Sequence, residues 1–239
     1  MGVIKDKSVI NKIRKAKTRR GKRFLEKREP QVIEATKTAI FTRGSTASQR
    51  CVQLLKDFVS HSMITHSYVS NCVHNLSQCL LKKPNSVYFN RKESWHPMDN
   101  SQPLERMSAK NNSTLFAFAN HTKKRPNNVI IGRTFDDHVL DMYELGFDNY
   151  RSLQEFKGVP KTSVGTKPIV TFSGQAFDVE PDYQRLKNLL LDFFAGPDVE
   201  AIRLSGLEHC IQFVALDGKV LMRSYRVALK KSGTRLPRV

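Results

Sequence analysis

Residues 114–133, TLFAFANHTKKRPNNVIIGR, decide the fold. Thr114-Leu115-Phe116-Ala117-Phe118-Ala119 reads as a buried strand, residues 121–128 as a turn, and Val129-Ile130-Ile131-Gly132 as the strand that returns. The turn sets Lys123, Lys124 and Arg125 on a loop stiffened by Pro126. Such a loop can follow a phosphate backbone, and the amides of Asn127 and Asn128 can reach base edges or 2′-hydroxyls. An ordinary polar hairpin loop is the plainer reading of the same residues.

Outward from this hairpin the chain alternates strand and helix signals. Upstream, residues 36–42 lean towards a strand, and Ser45 or Thr46 can cap a helix carrying Val52, Leu54, Leu55 and Phe58. Ser86-Val87-Tyr88-Phe89 is a further strand, and residues 93–113, polar with Pro97 and Pro103, read mostly as loop. Downstream, Asp136 or Asp137 is expected to cap a short helix with Val139, Leu140, Met142 and Leu145 inward, stopped by Gly146. Residues 167–172 suit a strand. Pro181 suits the first turn of a helix running to about Phe194, with Tyr183, Leu186, Leu189, Leu190 and Phe193 at the 3.6-residue spacing of a core-facing stripe. Three strands close the chain at residues 201–204, 209–216 and 219–228, the last two joined by Asp217-Gly218, a strong hairpin signal. The sum is an α/β (α+β) body in two halves.

Charge divides differently. The chain carries a formal +18 over 239 residues. Twelve Lys and Arg against three acids fall within residues 1–30, and seven against none within residues 219–239. A near-neutral body flanked by basic arms suits a polyanion held at both ends, because each cation near a phosphate releases condensed counterions. The run from Lys17 to Arg23 also fits a nuclear import signal. No apolar run approaches the roughly 20 residues of a membrane span, and no apolar region follows the basic N-terminus as in a secretory signal. Four cysteines in such a chain suit reduced thiols. Cys210, within an apparent strand, is expected to be a small buried apolar residue.

Catalytic patterns are sparse. No glycine-rich phosphate loop, His-Glu-x-x-His or Gly-x-Ser-x-Gly occurs. Asp136, Asp137 and Asp141, beside His138, could be drawn as a divalent-metal nuclease, although acids at a helix start are explained by capping. Cys51, His61, His66, Cys72, His74 and Cys79 are zinc-type ligands at poor spacing. No metal or cofactor is expected. Arg223 and Tyr225 should share one face of the last strand, where Tyr225 could stack on a base or pack in a core.

Several segments carry a resemblance. They are Arg23-Phe24-Leu25-Glu26-Lys27-Arg28-Glu29-Pro30, residues 123–128 with Ile131-Gly132-Arg133, and His138-Val139-Leu140-Asp141-Met142. Further on come Gly165-Thr166-Lys167-Pro168, residues 182–187 with Asp192-Phe193-Phe194, residues 213–219, Arg223-Ser224-Tyr225 and residues 229–233. In this order they resemble the Brix-domain family of ribosome biogenesis factors. The resemblance implies a Brix fold of two similar α/β halves packed as one domain at residues 31–229. Those halves would lie at about 31–113 and 114–229, with a basic arm at residues 1–30 and the start of a basic tail at residues 230–239.

It also implies a non-enzymatic factor that works in the nucleolus on pre-60S particles, with other assembly factors. It would bind 5S and large-subunit rRNA, pair with the regulator-of-ribosome-synthesis protein, and help bring in 5S rRNA with its two ribosomal proteins. A role for another family member, at a different assembly step, stays open. The RNA contacts implied are Arg14, Lys15, Lys17, Arg19, Arg20, Lys22, Arg23, Lys27 and Arg28 in the first arm, and Lys123, Lys124, Arg125, Asn127, Asn128 and Arg133 in the body. Arg223, Arg226, Lys230, Lys231, Arg235 and Arg238 complete them at the other end. Two departures stand out. Residues 59–79 look inserted, as a retained intron or a lineage-specific loop, and are expected to loop out of the core. The family usually carries a further charged tail beyond the position of Val239.

Overall fold

A computed structural model of the chain describes residues 18–26, 36–59, 85–152, 155–156, 167–196, 199 and 201–227. Two units divide between Ala35 and Thr36. In the first, helix α1 (Arg19–Glu26) starts at Thr18, whose hydroxyl accepts the Gly21 N–H at 3.1 Å. Its Arg19, Arg20, Lys22 and Arg23 are all exposed.

The second unit holds two sheets. The larger has the order β2-β1-β3-β4-β5, from β1 (Ala39–Gly44), β2 (Ser86–Glu93), β3 (Leu115–Asn120), β4 (Asn128–Phe135) and β5 (His138–Gly146). Strands β1, β2 and β3 are parallel, and β3–β4 and β4–β5 are antiparallel hairpins. Helix α2 (Gln49–Val59) links β1 to β2, and α3 (Gln102–Asn111) links β2 to β3. The chain steps one way to β2 and back the other way to β3. Right-handed crossovers therefore put α2 and α3 on opposite faces of the sheet. The burial agrees: Cys51, Leu55 and Phe58 of α2 pack with Phe41, Ala117 and Ile131, while Leu104 of α3 packs with Ile40, Phe116, Phe118 and Ile130.

The smaller sheet, β6 (Ile169–Ser173), β7 (His209–Leu216) and β8 (Lys219–Arg226), repeats the plan in miniature. A parallel pair, β6–β7, is followed by a hairpin, β7–β8. The crossover carries α4 (Ala176–Val179) and α5 (Pro181–Phe194). Helix α5 is the keystone. Leu186, Leu189, Leu190, Phe193 and Phe194 are buried in one cluster with residues of both sheets. Phe193 meets Phe41 edge-on at 5.8 Å, and Phe194 lies 5.8 Å from Phe58 and 5.9 Å from Phe213. An ion cluster reinforces the seam. Asp192 of α5 takes Lys37 Nζ at 2.6 Å and Arg133 Nη1 at 2.7 Å, and Arg133 also grips Asp141 with Nε at 2.9 Å.

Several expectations are corrected. Residues 138–146 are strand β5, not a helix. Asp136 and Asp137 both have positive φ, 48° and 64°, the backbone of a two-residue hairpin turn that aspartate tolerates. Residues 102–111 are α3 rather than loop, since a proline in the first turn suits a helix start. Ser48, not Ser45 or Thr46, caps α2, its hydroxyl accepting the Cys51 N–H at 3.2 Å. Residues 201–204 form no strand. Strands β3, β4 and β5 complete the first sheet, so the sheets divide between β5 and β6. Phe58 and Val59 are buried at the end of α2, so the core reaches past the expected start of the insert. Residues 60–84 lie outside the described residues.

Candidate nucleic-acid interface

The carboxyl ends of β1, β2 and β3 reach one edge of the larger sheet, where β4 begins and β5 ends. From there β1 leads towards β2, and β3 turns the other way to β4. The loops part between β1 and β3, the switch point at which open α/β sheets hold ligands. Residues 45–48, 121–127 and 147–150 line this edge.

The 121–127 loop is built by its own polar groups. Thr122 N–H donates to the Arg125 carbonyl and Arg125 N–H to the Thr122 hydroxyl, both at 3.1 Å. Asn127, at φ 45°, donates its N–H to His121 Nδ1 at 3.1 Å and accepts from the Ser48 hydroxyl at 3.0 Å. Asn128 is buried, and its amide donates to Glu144, which also pairs with Arg125. Asn127 therefore ties the loop to the start of α2, and Asn128 and Arg125 tie it to β5, where base readers were expected. Lys123 and Lys124 stay exposed and have no ion pair among the described residues.

A residue that sequence reading missed completes the edge. Arg50, in the first turn of α2, is exposed and has no ion pair among the described residues. It lines a cleft of about 320 Å³ with Asn127, Phe147, Asp148, Asn149 and Tyr150. The cleft wall is pinned, because Tyr150 donates its hydroxyl to the buried Asp57 of α2 and meets Phe147 edge-on at 5.8 Å. Arg50 lies some seventy residues from the lysines it joins, so only the fold brings them to one edge. The exposed Arg91 and Lys92, towards the end of the edge strand β2, add cations at the same end of the sheet.

Other candidates fall elsewhere. Arg133 spends its guanidinium on Asp141 and Asp192. The hydrogen bond with Asp141 raises its pKa above the ordinary value against the opposing effect of burial. Burial pushes Asp192 up, but the bonds from Lys37 and Arg133 outweigh it and hold the carboxyl below its usual range. Asp141 is thus neutralised by Arg133, while Asp136 and Asp137 stand exposed at a turn tip. These three acids form no shared site, and no group of three or more metal-type ligands occurs among the described residues. Cys51 is a core residue, and His61, His66, Cys72, His74 and Cys79 lie outside the described residues. Cys210 is half-buried rather than fully buried.

On β8, Arg223 and Tyr225 share the outer face, both exposed, as the strand alternation expects. Arg226 faces the other way, half-buried beside His209. The arm cations Arg14, Lys15, Lys17, Lys27 and Arg28, and Lys230, Lys231, Arg235 and Arg238 at the other end, lie outside the described residues. No described helix is long and apolar enough to cross a membrane.

Known proteins match over most of the chain. The Brix domain model matches residues 62–239. The Mus musculus protein named Ribosome production factor 2 homolog is 45% identical over 230 residues, 96% of this chain and 68% of that one. Its Homo sapiens counterpart matches equally, at 45%. The Saccharomyces cerevisiae protein named Ribosome biogenesis protein RPF2 is 36% identical over 237 residues, 94% of this chain and 63% of that one. Among solved structures, a probable ribosomal biogenesis protein from Aeropyrum pernix K1 aligns over 80% of this chain and 89% of its own, at 10% identity and a TM-score of 0.49. These names describe ribosome biogenesis factors, not enzymes. With nearly half its residues shared along almost its whole length, the chain belongs to the Brix-domain family of ribosome biogenesis factors, in its ribosome production factor 2 group.

Proposed function

We propose that the chain is a non-enzymatic assembly factor of the large ribosomal subunit that binds rRNA and helps bring 5S rRNA with its two ribosomal proteins to pre-60S particles in the nucleolus. The observation that carries this reading is the loop edge of the larger sheet. Arg50 lines the cleft there and Lys123 and Lys124 stand on the neighbouring loop, none with an ion pair among the described residues, while the other cations of the loop and hairpin are consumed by Glu144, Asp141 and Asp192. Cations left free at a switch point suit phosphate contacts, and the helical basic arm of α1 adds a sequence-independent hold.

The regulator-of-ribosome-synthesis protein is the proposed heterodimer partner, and the outer face of the smaller sheet is its proposed seat. Leu221 and Tyr225 are exposed there beside Val214, with no described helix over them. An exposed apolar sheet face of this kind marks protein association.

The test is a filter-binding titration of 5S rRNA against salt with the Lys123→Gln/Lys124→Gln/Arg50→Gln variant. Each lost phosphate contact should lower the log–log salt slope by about 0.7–0.9. An unchanged slope in the triple variant would remove this edge from the RNA interface.

A further inference from the structure

The opposite end of the larger sheet carries a feature of the opposite sign. There the β4–β5 hairpin ends in Phe135-Asp136-Asp137-His138. Phe135 is 73% exposed and Leu140 62% exposed, although both lie within apolar strands. The register explains Leu140. Arg133 pairs with Asp141 and Thr134 with Val139, so Leu140 is the extra residue of a bulge, turned out to water.

The tip is held stiffly. Two consecutive residues with positive φ make a turn that matches the twist of the strands. Glu105 of α3 accepts the Val139 N–H at 3.3 Å and lies 3.7 Å from His138 Nδ1. Turn geometry favours Asn-Gly or Asp-Gly, so the second aspartate, Asp137, fixes a charge in space beyond what the turn requires. Asp136 and Asp137 are exposed and have no ion pair among the described residues. On a chain of formal charge +18 they make a local acidic point that repels phosphate backbones.

We propose that this hairpin tip docks a basic protein segment in which lysine or arginine alternates with apolar side chains. The apolar side chains cover Phe135 and Leu140, and the cations meet Asp136 and Asp137. The charge decides between partner classes: nucleic acid would be driven off by the same two carboxylates that draw a cationic polypeptide. This surface is separate from the loop edge and does not rest on the RNA reading.

The experiment places the photo-reactive residue benzoylphenylalanine at Phe135 in the full chain in cells, with the same probe at the exposed Val179 as background, and identifies the crosslinked peptides by mass spectrometry. The expected result is a lysine- or arginine-rich protein peptide. Its yield should fall about tenfold in the Asp136→Lys/Asp137→Lys variant, because like charges across an interface repel. Both positions have positive φ, so Asp136→Asn/Asp137→Gly, which keeps residues the turn favours and removes both charges, should lower the yield in the same direction, with circular dichroism reporting a folded chain for each variant. Crosslinks to RNA or to a peptide without a basic run, yield no higher than from Val179, or yield indifferent to charge reversal in the folded variant would each overturn the proposal.

Discussion

The two sheets of this molecule follow one plan but end differently. In the larger, α2 and α3 close both faces, and its buried strands carry side chains such as Ile40, Phe116, Phe118 and Ile130 on the α3 side. In the smaller, α5 closes one face over Ile211 and Phe213, and no described helix covers the other, with Leu221 40% and Tyr225 44% exposed. Among the described residues the second crossover has no counterpart of β2 and α3. A sheet covered twice is a rigid platform, and its loop edge can hold free cations in place. A sheet covered once keeps apolar area for another molecule. The difference suits the two sheets to the different work proposed for them, with α5 making them a single structure.

The largest test of that unity is Phe193→Ala. Phe193 touches Phe41 of one sheet and lies against Phe194, which reaches Phe213 of the other. Urea unfolding should show a loss of about 3–5 kcal/mol in one cooperative transition. Two transitions would mean that the sheets are independent bodies.

A smaller effect is expected at the ion cluster. Asp192→Asn should cost about 1–3 kcal/mol, as hydrogen bonds to charged groups do. Because the Asp192 carboxyl is held below its unfolded value of 3.8, its contribution is present at neutral pH and lost as pH falls through the lowered value. The gap between the parent chain and Asp192→Asn should therefore close below about pH 4. A gap that persists at lower pH would place its origin in packing rather than charge.

The smallest effect on stability is expected on the open face. Leu221→Ser with Tyr225→Ser should change the stability of the chain alone by less than about 0.5 kcal/mol, as exposed substitutions do. The same pair should abolish co-purification with the proposed partner, the regulator-of-ribosome-synthesis protein. Unimpaired co-purification would move the partner's seat elsewhere.

How much of this was legible before the structure depended on the local signal. Helix α5 was readable to the residue, because its apolar spacing holds one period between Pro181 and Gly196. The β3–β4 and β7–β8 hairpins were readable from apolar runs broken by turn residues. Strand β5 was not, because its bulge interrupts the alternation and its Asp-Asp turn resembles a helix cap. Helix α3 hid behind Pro103 and a mostly polar sequence, burying only Leu104 and Ser108.

At the candidate site, Lys123 and Lys124 were legible as a run of charge. The commitments of Arg125, Asn127, Asn128 and Arg133 to partners 6 to 79 residues away were not, and neither was Arg50. Charge shows in a sequence, but whether a charge is free depends on its tertiary partners.

The most direct test of the division of work is hydrogen–deuterium exchange on the chain alone, with the regulator-of-ribosome-synthesis protein, and with 5S rRNA. The protein partner should slow exchange in β7 and β8 and leave residues 121–127 and the first turn of α2 unchanged, while the RNA should do the reverse. Protection of β7 and β8 by RNA, or of residues 121–127 by the protein partner, would contradict that division of work.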